Sequence, residues 1–199
     1  MSLRLPWQRL QRKRLHVKSV SQWILVGSLA TAAHPIQSAA EEPLRLTFET
    51  ADQQTPHAQW QLQQWRSRMD APLARFIASP ERRHTLLTRL YREARLAGLP
   101  PELVLALIQV ESAFNADAVS SAGAVGLMQI MPFWVEELGL PMDDLTEPNR
   151  NLRYGCTILA HYLAVERGDF TRALARYNGS LGQTWYPERV LKTWRDYWR

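Results

Sequence analysis

A carboxylate at the end of an apolar helix constrains this chain more than any other feature of its sequence. Pro101 suits the first turn of a helix, where a missing N–H group is tolerated. The apolar residues that follow share one helical stripe, and Glu111 continues it one turn further on: Leu103, Val104, Leu107 and Ile108. Desolvation and the negative end of the helix both predict a raised pKa for Glu111, as a general acid at neutral pH requires. The alternative is an ordinary glutamate that extends from a helix end into water.

The segment after this helix predicts a tight reversal of the chain. Residues 120–126 (SSAGAVG) carry Gly123 and Gly126, which admit backbone conformations that other residues avoid. Gln129 then offers an amide that both donates to and accepts from hydroxyl or acetamido groups. Met128 offers a soft apolar surface of the kind that the face of a sugar ring requires. Taken singly, each of these side chains is better explained as part of the core or the surface than as part of a binding site.

Five short motifs together resemble the lytic transglycosylases with an SLT catalytic domain, the goose-lysozyme-like enzymes that cleave murein. In chain order the motifs are 111–112 (ES), 120–124 (SSAGA), 126–129 (GLMQ), 151–155 (NLRYG) and 175–179 (ARYNG). The first three have the order and spacing of the family, and the resemblance extends over about residues 85–190. One departure is clear: the usual Ala-Tyr-Asn-Ala-Gly of the family reads Arg-Tyr-Asn-Gly-Ser at 176–180. Arg176 either adds a positive site for a substrate carboxylate or faces solvent.

The resemblance implies both a reaction and the residues that perform it. The reaction is cleavage of the β-1,4 bond between N-acetylmuramic acid and N-acetylglucosamine, with formation of a 1,6-anhydromuramyl product. Glu111 is the implied acid and base, and Tyr177 matches the active-site tyrosine, which we expect to hydrogen-bond near Glu111. Four further residues are implied in substrate binding: Ser120, Met128, Gln129 and Asn178. Asn178 is also expected to shape the turn that presents Tyr177. Ser112 is explained equally well as a residue that fixes the end of the helix or as one that contacts the substrate.

The sequence offers no evident second carboxylate. Most glycosidases use two, but a substrate that supplies its own nucleophile needs only one protein acid. Asp117 follows closely, in a predicted turn where an aspartate commonly serves as a cap. The lone glutamate is therefore compatible with a lytic mechanism. A hydrolytic muramidase and a murein-binding scaffold without activity are the alternatives.

Helical periodicity in the other segments predicts a mainly α fold. One predicted helix starts with Ser79 as N-cap and Pro80 at its first position. Its arginines are expected mostly on the outer face: Arg82, Arg83, Arg89, Arg92 and Arg95. The resemblance implies a lysozyme-like arrangement, a helical body with at most a minor β-hairpin beside the cleft. The five histidines are scattered and no phosphate-binding loop occurs, so we predict neither a metal nor a cofactor. Trp185 and Tyr186 precede the last helix, and the sequence is compatible with sugar stacking or with packing for both.

The chain divides into three predicted parts. Residues 1–40 combine a basic stretch with the apolar run 23–29 (WILVGSL), which predicts a signal peptide or an uncleaved tether to the inner membrane. Residues 41–82 are predicted as a linker and helices that brace the catalytic domain or line its cleft, and residues 83–199 as the SLT catalytic domain.

Charge and cysteine content bear on partners and location. Six basic residues and no acidic ones lie in 1–40, so the remainder has a formal net charge of −1 and nucleic-acid binding is disfavoured. The single cysteine, Cys156, falls on a helical apolar stripe and predicts a buried residue. An export signal without disulfides fits a bacterial periplasm, with peptidoglycan glycan strands as the partner. Protein partners, and cleavage within strands or from their ends, are not specified by the sequence.

Overall fold

The structure, a computed structural model, describes residues 55–137 and 145–199. Within these ranges the chain forms seven helices: α1 (Pro56–Leu73), α2 (Pro80–Leu96), α3 (Pro101–Glu111), α4 (Phe133–Glu137), α5 (Pro148–Val165), α6 (Phe170–Asn178) and α7 (Trp185–Tyr197). No helix in the described part has the length and apolarity needed to cross a membrane. The predicted export segment 1–40 lies outside the described residues.

Helices α1 and α2 each begin after a residue whose side chain satisfies a free backbone N–H group. Thr55 Oγ1 accepts from the N–H of Ala58 at 3.2 Å, and Ser79 Oγ accepts from that of Arg82 at 3.2 Å. Each of these two helices starts with a proline, whose missing N–H group is tolerated there. The predicted start of α2, with Ser79 as N-cap and proline next, is confirmed.

The centre of the fold is α3, in which seven of 11 residues are buried. Helix α7 packs along it, with Val190 buried on the facing side. Just beyond α7, Trp198 is fully buried and donates from its indole Nε1 to Gln109 Oε1 at 2.8 Å. The C-terminal helix therefore supports the half of α3 that ends at Glu111.

Helix α1 packs against α2 through an apolar stripe: Trp65, Met69 and Leu73. Trp65 Nε1 also donates to Glu102 Oε1 on α3 at 2.9 Å. The guanidinium of Arg83 donates to both carboxylate oxygens of Asp70, at 2.8 and 3.0 Å. The predicted boundary between residues 82 and 83 thus falls inside α2, at a contact with α1.

Arg83 corrects one prediction, because it was placed with the other arginines of α2 on an outer face. It is only 8% exposed. Its guanidinium is satisfied by Asp70 and by the carbonyl oxygens of Ile77 and Ala78, at 3.0 and 2.8 Å. A buried charge is tolerated where its hydrogen bonds are made in this way.

The only β structure among the described residues is a small antiparallel arrangement between α3 and α4. Val125 forms bridges to Val119 and Ile130, and its N–H and C=O groups pair with those of Ile130 at 2.9 Å. The prediction of a mainly α fold with at most a minor hairpin is confirmed. Cys156 is buried, as predicted, and burial raises the pKa of its thiol.

Candidate active site

Glu111 is the last residue of α3 and is partly exposed. The hydroxyl of Tyr186, on α7, donates a hydrogen bond to Glu111 Oε1. Burial raises the pKa of Glu111 to about 7, although the Tyr186 hydrogen bond and the charge of Arg189 both act to lower it. Burial therefore outweighs both, and the carboxyl group is about half protonated at neutral pH.

The chain leaves α3 through a strained turn. Phe114 has φ of +65°, a left-handed conformation that is costly for a bulky residue. Its ring is held between those of Phe76 and Trp198, with centroids 5.0 and 5.7 Å away. Packing on both sides therefore stabilises the turn that ends the helix immediately after Glu111.

Ser112 fixes the same helix end to the hairpin, at the turn between Val125 and Ile130. Its hydroxyl donates to the carbonyl oxygen of Leu127 at 2.7 Å and lies 3.3 Å from that of Ile108. Of the two interpretations of Ser112, the structure supports fixation of the helix end.

Two tyrosines lie close to the acid, and the hydrogen bond to it comes from Tyr186 and not from Tyr177. The hydroxyl of Tyr177 donates to the carbonyl oxygen of Met128 at 2.8 Å, whereas the hydroxyl that bonds Glu111 belongs to Tyr186. Tyr177 is still close enough that the charge of Glu111 raises its pKa, in addition to the larger effect of burial. Tyr186 is 2% exposed, so it is a packed residue whose polar end reaches the acid.

A sequence signal for Tyr186 existed. It lies one helical turn before Val190, on the stripe that packs against α3. A buried tyrosine usually finds a hydrogen-bond partner for its hydroxyl. Because α7 packs along α3, the carboxyl group of Glu111 lies within reach of the Tyr186 hydroxyl and is its partner.

Met128 corrects a second prediction. Its side chain is 0% exposed, so it offers no surface to the face of a sugar ring. The side chain instead fills a slot above Gly155, where an added Cβ would lie 2.3 Å from the Met128 sulfur. The contribution of Met128 to the site is its carbonyl oxygen, which holds Tyr177.

Gln129 and Ser120 hold the hairpin together in the structure. Gln129 has φ of +51°, and its amide Nε2 donates to the carbonyl oxygens of Ala118 and Gly126 at 3.1 and 3.0 Å. Only the carbonyl oxygen of that amide remains for a substrate group. Ser120 Oγ accepts from the N–H of Ala124 at 2.9 Å and is only partly exposed.

Asn178 is the last residue of α6, and Gly179 follows with φ of +74°, a left-handed helix cap. The side-chain oxygen of Asn178 is buried and has no hydrogen-bond partner in the described part of the chain. Asn178 therefore lies at the turn, as predicted, and carries an acceptor that protein groups leave unused.

Arg176 matches neither of its two predicted roles. Together with Arg172 it pairs with Glu166, which is 8% exposed. These hydrogen bonds to the two guanidinium groups hold the pKa of Glu166 below its usual value. Arg176, which departs from the family motif, therefore forms an ion pair within the protein, with Glu166.

Asn151 organises the loop beneath the site and had no predicted role of its own. It is fully buried; its Oδ1 accepts from the N–H of Met128 at 2.7 Å, and its Nδ2 donates to the carbonyl oxygens of Val125 and Leu145, both at 2.8 Å. An added Cβ at Gly126 would lie 2.3 Å from this Nδ2. Both polar ends of the amide are therefore used to hold backbone.

Among the described residues, Glu111 is the one carboxylic acid of the site. No second carboxylate contributes to the pKa shift of Glu111, and Asp117 is exposed. No group of three or more potential ligand side chains that could hold a metal ion occurs within 55–137 and 145–199. The chemistry that this arrangement supports is proton transfer to and from a single bound substrate.

The chain is similar to known proteins over about half of its length. Residues 91–193, more than half of the chain, match the family profile described as "Transglycosylase SLT domain". The chain belongs to the SLT transglycosylase family. This SLT chain is 36% identical over 101 residues to a transglycosylase of Enterobacteria phage PRD1, covering 47% of this chain and 37% of that protein.

Further similarity of the SLT chain is to bacterial proteins. It is 31% identical over 118 residues to membrane-bound lytic murein transglycosylase C of Cronobacter sakazakii, covering 51% of this chain and 33% of that protein. The solved structure of an inactive mutant of lytic transglycosylase Slt from Pseudomonas aeruginosa is 28% identical, with a TM-score of 0.46, and covers 62% of this chain and 22% of that one. This SLT chain thus spans about a third of the length of the phage and Cronobacter relatives.

Proposed function

We propose that this protein is a murein lytic transglycosylase that uses Glu111 as its single acid and base. The observation that carries the proposal is the protonatable Glu111 carboxyl, with a pKa of about 7 and a hydrogen bond from Tyr186, in a chain of the SLT family. A carboxyl group that is partly protonated at neutral pH is suited to general acid catalysis.

The proposed reaction proceeds without water. Glu111 donates its proton to the β-1,4 glycosidic oxygen as the bond from that oxygen to C1 of N-acetylmuramic acid breaks, and the N-acetyl oxygen supports the cation. The C6 hydroxyl of the same sugar then attacks C1, and Glu111 takes its proton. The products are a strand that ends in 1,6-anhydromuramic acid and a strand with a free 4-hydroxyl on N-acetylglucosamine.

The neighbouring residues are assigned from their contacts. Tyr186 orients the carboxyl group of Glu111 through its hydroxyl. Tyr177 and Asn178 lie together at the end of α6, and Asn178 is proposed to shape the turn that presents Tyr177. Gln129 is proposed to contact the acetamido group through the carbonyl oxygen of its amide, and Ser120 to hold the hairpin beside it.

Product mass tests the reaction directly. Digestion of purified murein with the full chain should release fragments that are lighter by one water than hydrolytic products and that have no reducing end. Mass spectrometry before and after borohydride treatment distinguishes the two, because only a reducing end gains two hydrogens. Reducing products would assign a hydrolytic muramidase instead, and intact murein would assign a scaffold without activity.

The pH dependence of cleavage should follow the ionisation of Glu111. Because the general acid must carry its proton, activity should fall above pH 7, with about a tenfold smaller protonated fraction for each further pH unit. In Tyr186→Phe this decline should move to higher pH, since the lost hydrogen bond normally lowers the pKa of Glu111. Tyr177→Phe is the matched control, because its hydroxyl bonds Met128 and not the acid. An unchanged profile in Tyr186→Phe would contradict the assignment.

We further propose that the protein acts in the bacterial cell envelope, with murein strands as its partner. The Cronobacter relative is a membrane-bound lytic murein transglycosylase by name, and this similarity supports the location. Residues 1–40 would serve either as a cleaved export signal or as an inner-membrane tether.

A further inference from the structure

A groove of about 370 Å³ lies between α1, α2 and the start of α3. Such a volume falls within the range of roughly 300–1,000 Å³ that is typical of ligand sites. Glu102 lines this groove, whereas Glu111 is nine residues further along the same helix. Nine residues of α-helix span about 14 Å, so the groove is separate from the acid.

Helical spacing concentrates sugar-binding residue types on this groove. Trp60, Gln64 and Arg68 recur every four residues and therefore share one face of α1. Tyr91 and Arg95 have the same spacing on α2. Trp60, Gln64 and Arg68 lie outside the stripe of α1 that packs on α2, so their side chains are available to a ligand.

The exposed tryptophan is the apolar element of the groove. Trp60 is 57% exposed, and its only ring neighbour in the described part of the chain is His57, at 6.2 Å between centroids. An exposed indole with one open face is suited to stacking on the apolar face of a pyranose ring. Gln64 adds an exposed amide beside it.

The charges in the groove favour an anionic ligand. Arg68 and Arg95 are exposed, and neither forms an ion pair with a carboxylate within the described ranges. The one acidic residue of the lining, Glu102, already accepts from Trp65 Nε1 through Oε1. Two guanidinium groups against one carboxylate leave the groove with a net positive charge.

We propose that this groove is a second murein-binding site, which takes a sugar ring of the strand on Trp60 and an adjoining carboxylate on Arg68 and Arg95. The inference rests on the proposed function. Murein provides this chemistry as hexose rings beside either lactyl or stem-peptide carboxylates. A second contact on the same polymer raises the local concentration of substrate at the cleft.

Binding to insoluble murein tests the groove separately from cleavage. In a Glu111→Gln background, which is designed to leave the polymer intact, Trp60→Ala should lower the affinity of the full chain for murein by about tenfold. Trp60→Phe should retain most of the affinity because it keeps an aromatic face. Equal affinity in Trp60→Ala and its parent would overturn the proposal, whether or not the parent enzyme cleaves murein.

Arginine variants test the charged half of the site. Arg68→Gln with Arg95→Gln should weaken binding and reduce its dependence on salt. Arg89→Gln with Arg92→Gln is the matched control, since both are exposed on α2 outside the groove. A loss on peptide-free strands identifies the lactyl carboxylate as the ligand, and a loss on intact murein alone identifies the stem peptide. No loss on either polymer would contradict the proposal.

The alternative occupant of the groove is another part of this chain, the segment 41–54. In that case Trp60→Ala would unfold at lower denaturant concentration than its parent while binding murein equally well. That pair of results would overturn the proposal, and denaturant unfolding measured beside the binding assay would reveal it.

Discussion

Glu111→Gln should reduce murein cleavage by at least about 10³-fold while leaving the fold intact. Glutamine keeps the shape of the side chain and accepts from Tyr186, but it has no proton to donate to the glycosidic oxygen. General acid and base steps contribute about 10²–10⁴ in rate, and the proposed mechanism relies on Glu111 for both. The release of soluble fragments from labelled murein measures the effect.

The matched control for this variant is Glu188→Gln, which removes an exposed carboxylate from α7 close in sequence to Tyr186. We expect it to cleave at the parental rate. If Glu111→Gln retained more than about a tenth of the parental activity, another group would have to supply the proton, and the single-acid mechanism would be wrong.

Stability should separate a catalytic from a structural role of Glu111. The folded-state pKa of this carboxyl is raised from 4.5 to about 7. Folding therefore favours the protonated form of Glu111. Its contribution to the free energy of unfolding is fully present below pH 4.5 and is lost as the pH rises through 7. The difference amounts to no more than about 3 kcal/mol. Glu111→Gln should thus unfold at higher denaturant than the parent at pH 8, with the gap closing towards pH 4.

Asn151→Asp should destabilise the protein by about 3 kcal/mol or more. The substitution keeps an acceptor for the N–H of Met128, but it places a carboxylate oxygen against the carbonyl oxygens of Val125 and Leu145. An unpaired buried charge costs several kcal/mol, and two carbonyl groups lose their donor. Urea unfolding at pH 8, read by tryptophan fluorescence, measures the loss.

Asn149→Asp is the control for this substitution, because it makes the same change two residues earlier, at a side chain that is only partly buried. We expect its unfolding midpoint to lie close to that of the parent. Protonation of the new carboxyl restores one donor, so the deficit of Asn151→Asp should shrink at pH 4. Equal midpoints for the two variants at pH 8 would show that the amide of Asn151 does not hold the loop.

Helical periodicity and short motifs predicted most of the architecture for a physical reason. The stripe of α3 and its terminal carboxylate follow from local spacing, and both the burial of the helix and the raised pKa of Glu111 are found. The chain reversal at 120–126 followed in the same way from clustered turn residues, whereas the minor hairpin was implied by the family resemblance. Such features depend on neighbours in the sequence, which a single chain displays.

The incorrect predictions concern contacts between distant segments. Met128 and Gly155 are far apart in sequence, yet the absent side chain of one makes the slot for the other. Tyr186 reaches Glu111 only because α7 packs along α3, a pairing that no local pattern specifies. Arg83 was likewise assigned to the surface because Asp70, its partner, lies on another helix.

The packing of the Phe114 ring bears on where the ends of a recombinant fragment should be placed. Its two supports, Phe76 and Trp198, both lie outside residues 91–193, the segment that similarity alone would delimit. A fragment trimmed to those limits would keep all five sequence motifs and yet lose both aromatic rings that hold the left-handed turn after Glu111. Boundaries chosen by homology are therefore too narrow for recombinant work on this protein, and inactivity of such a fragment would say nothing about the full chain.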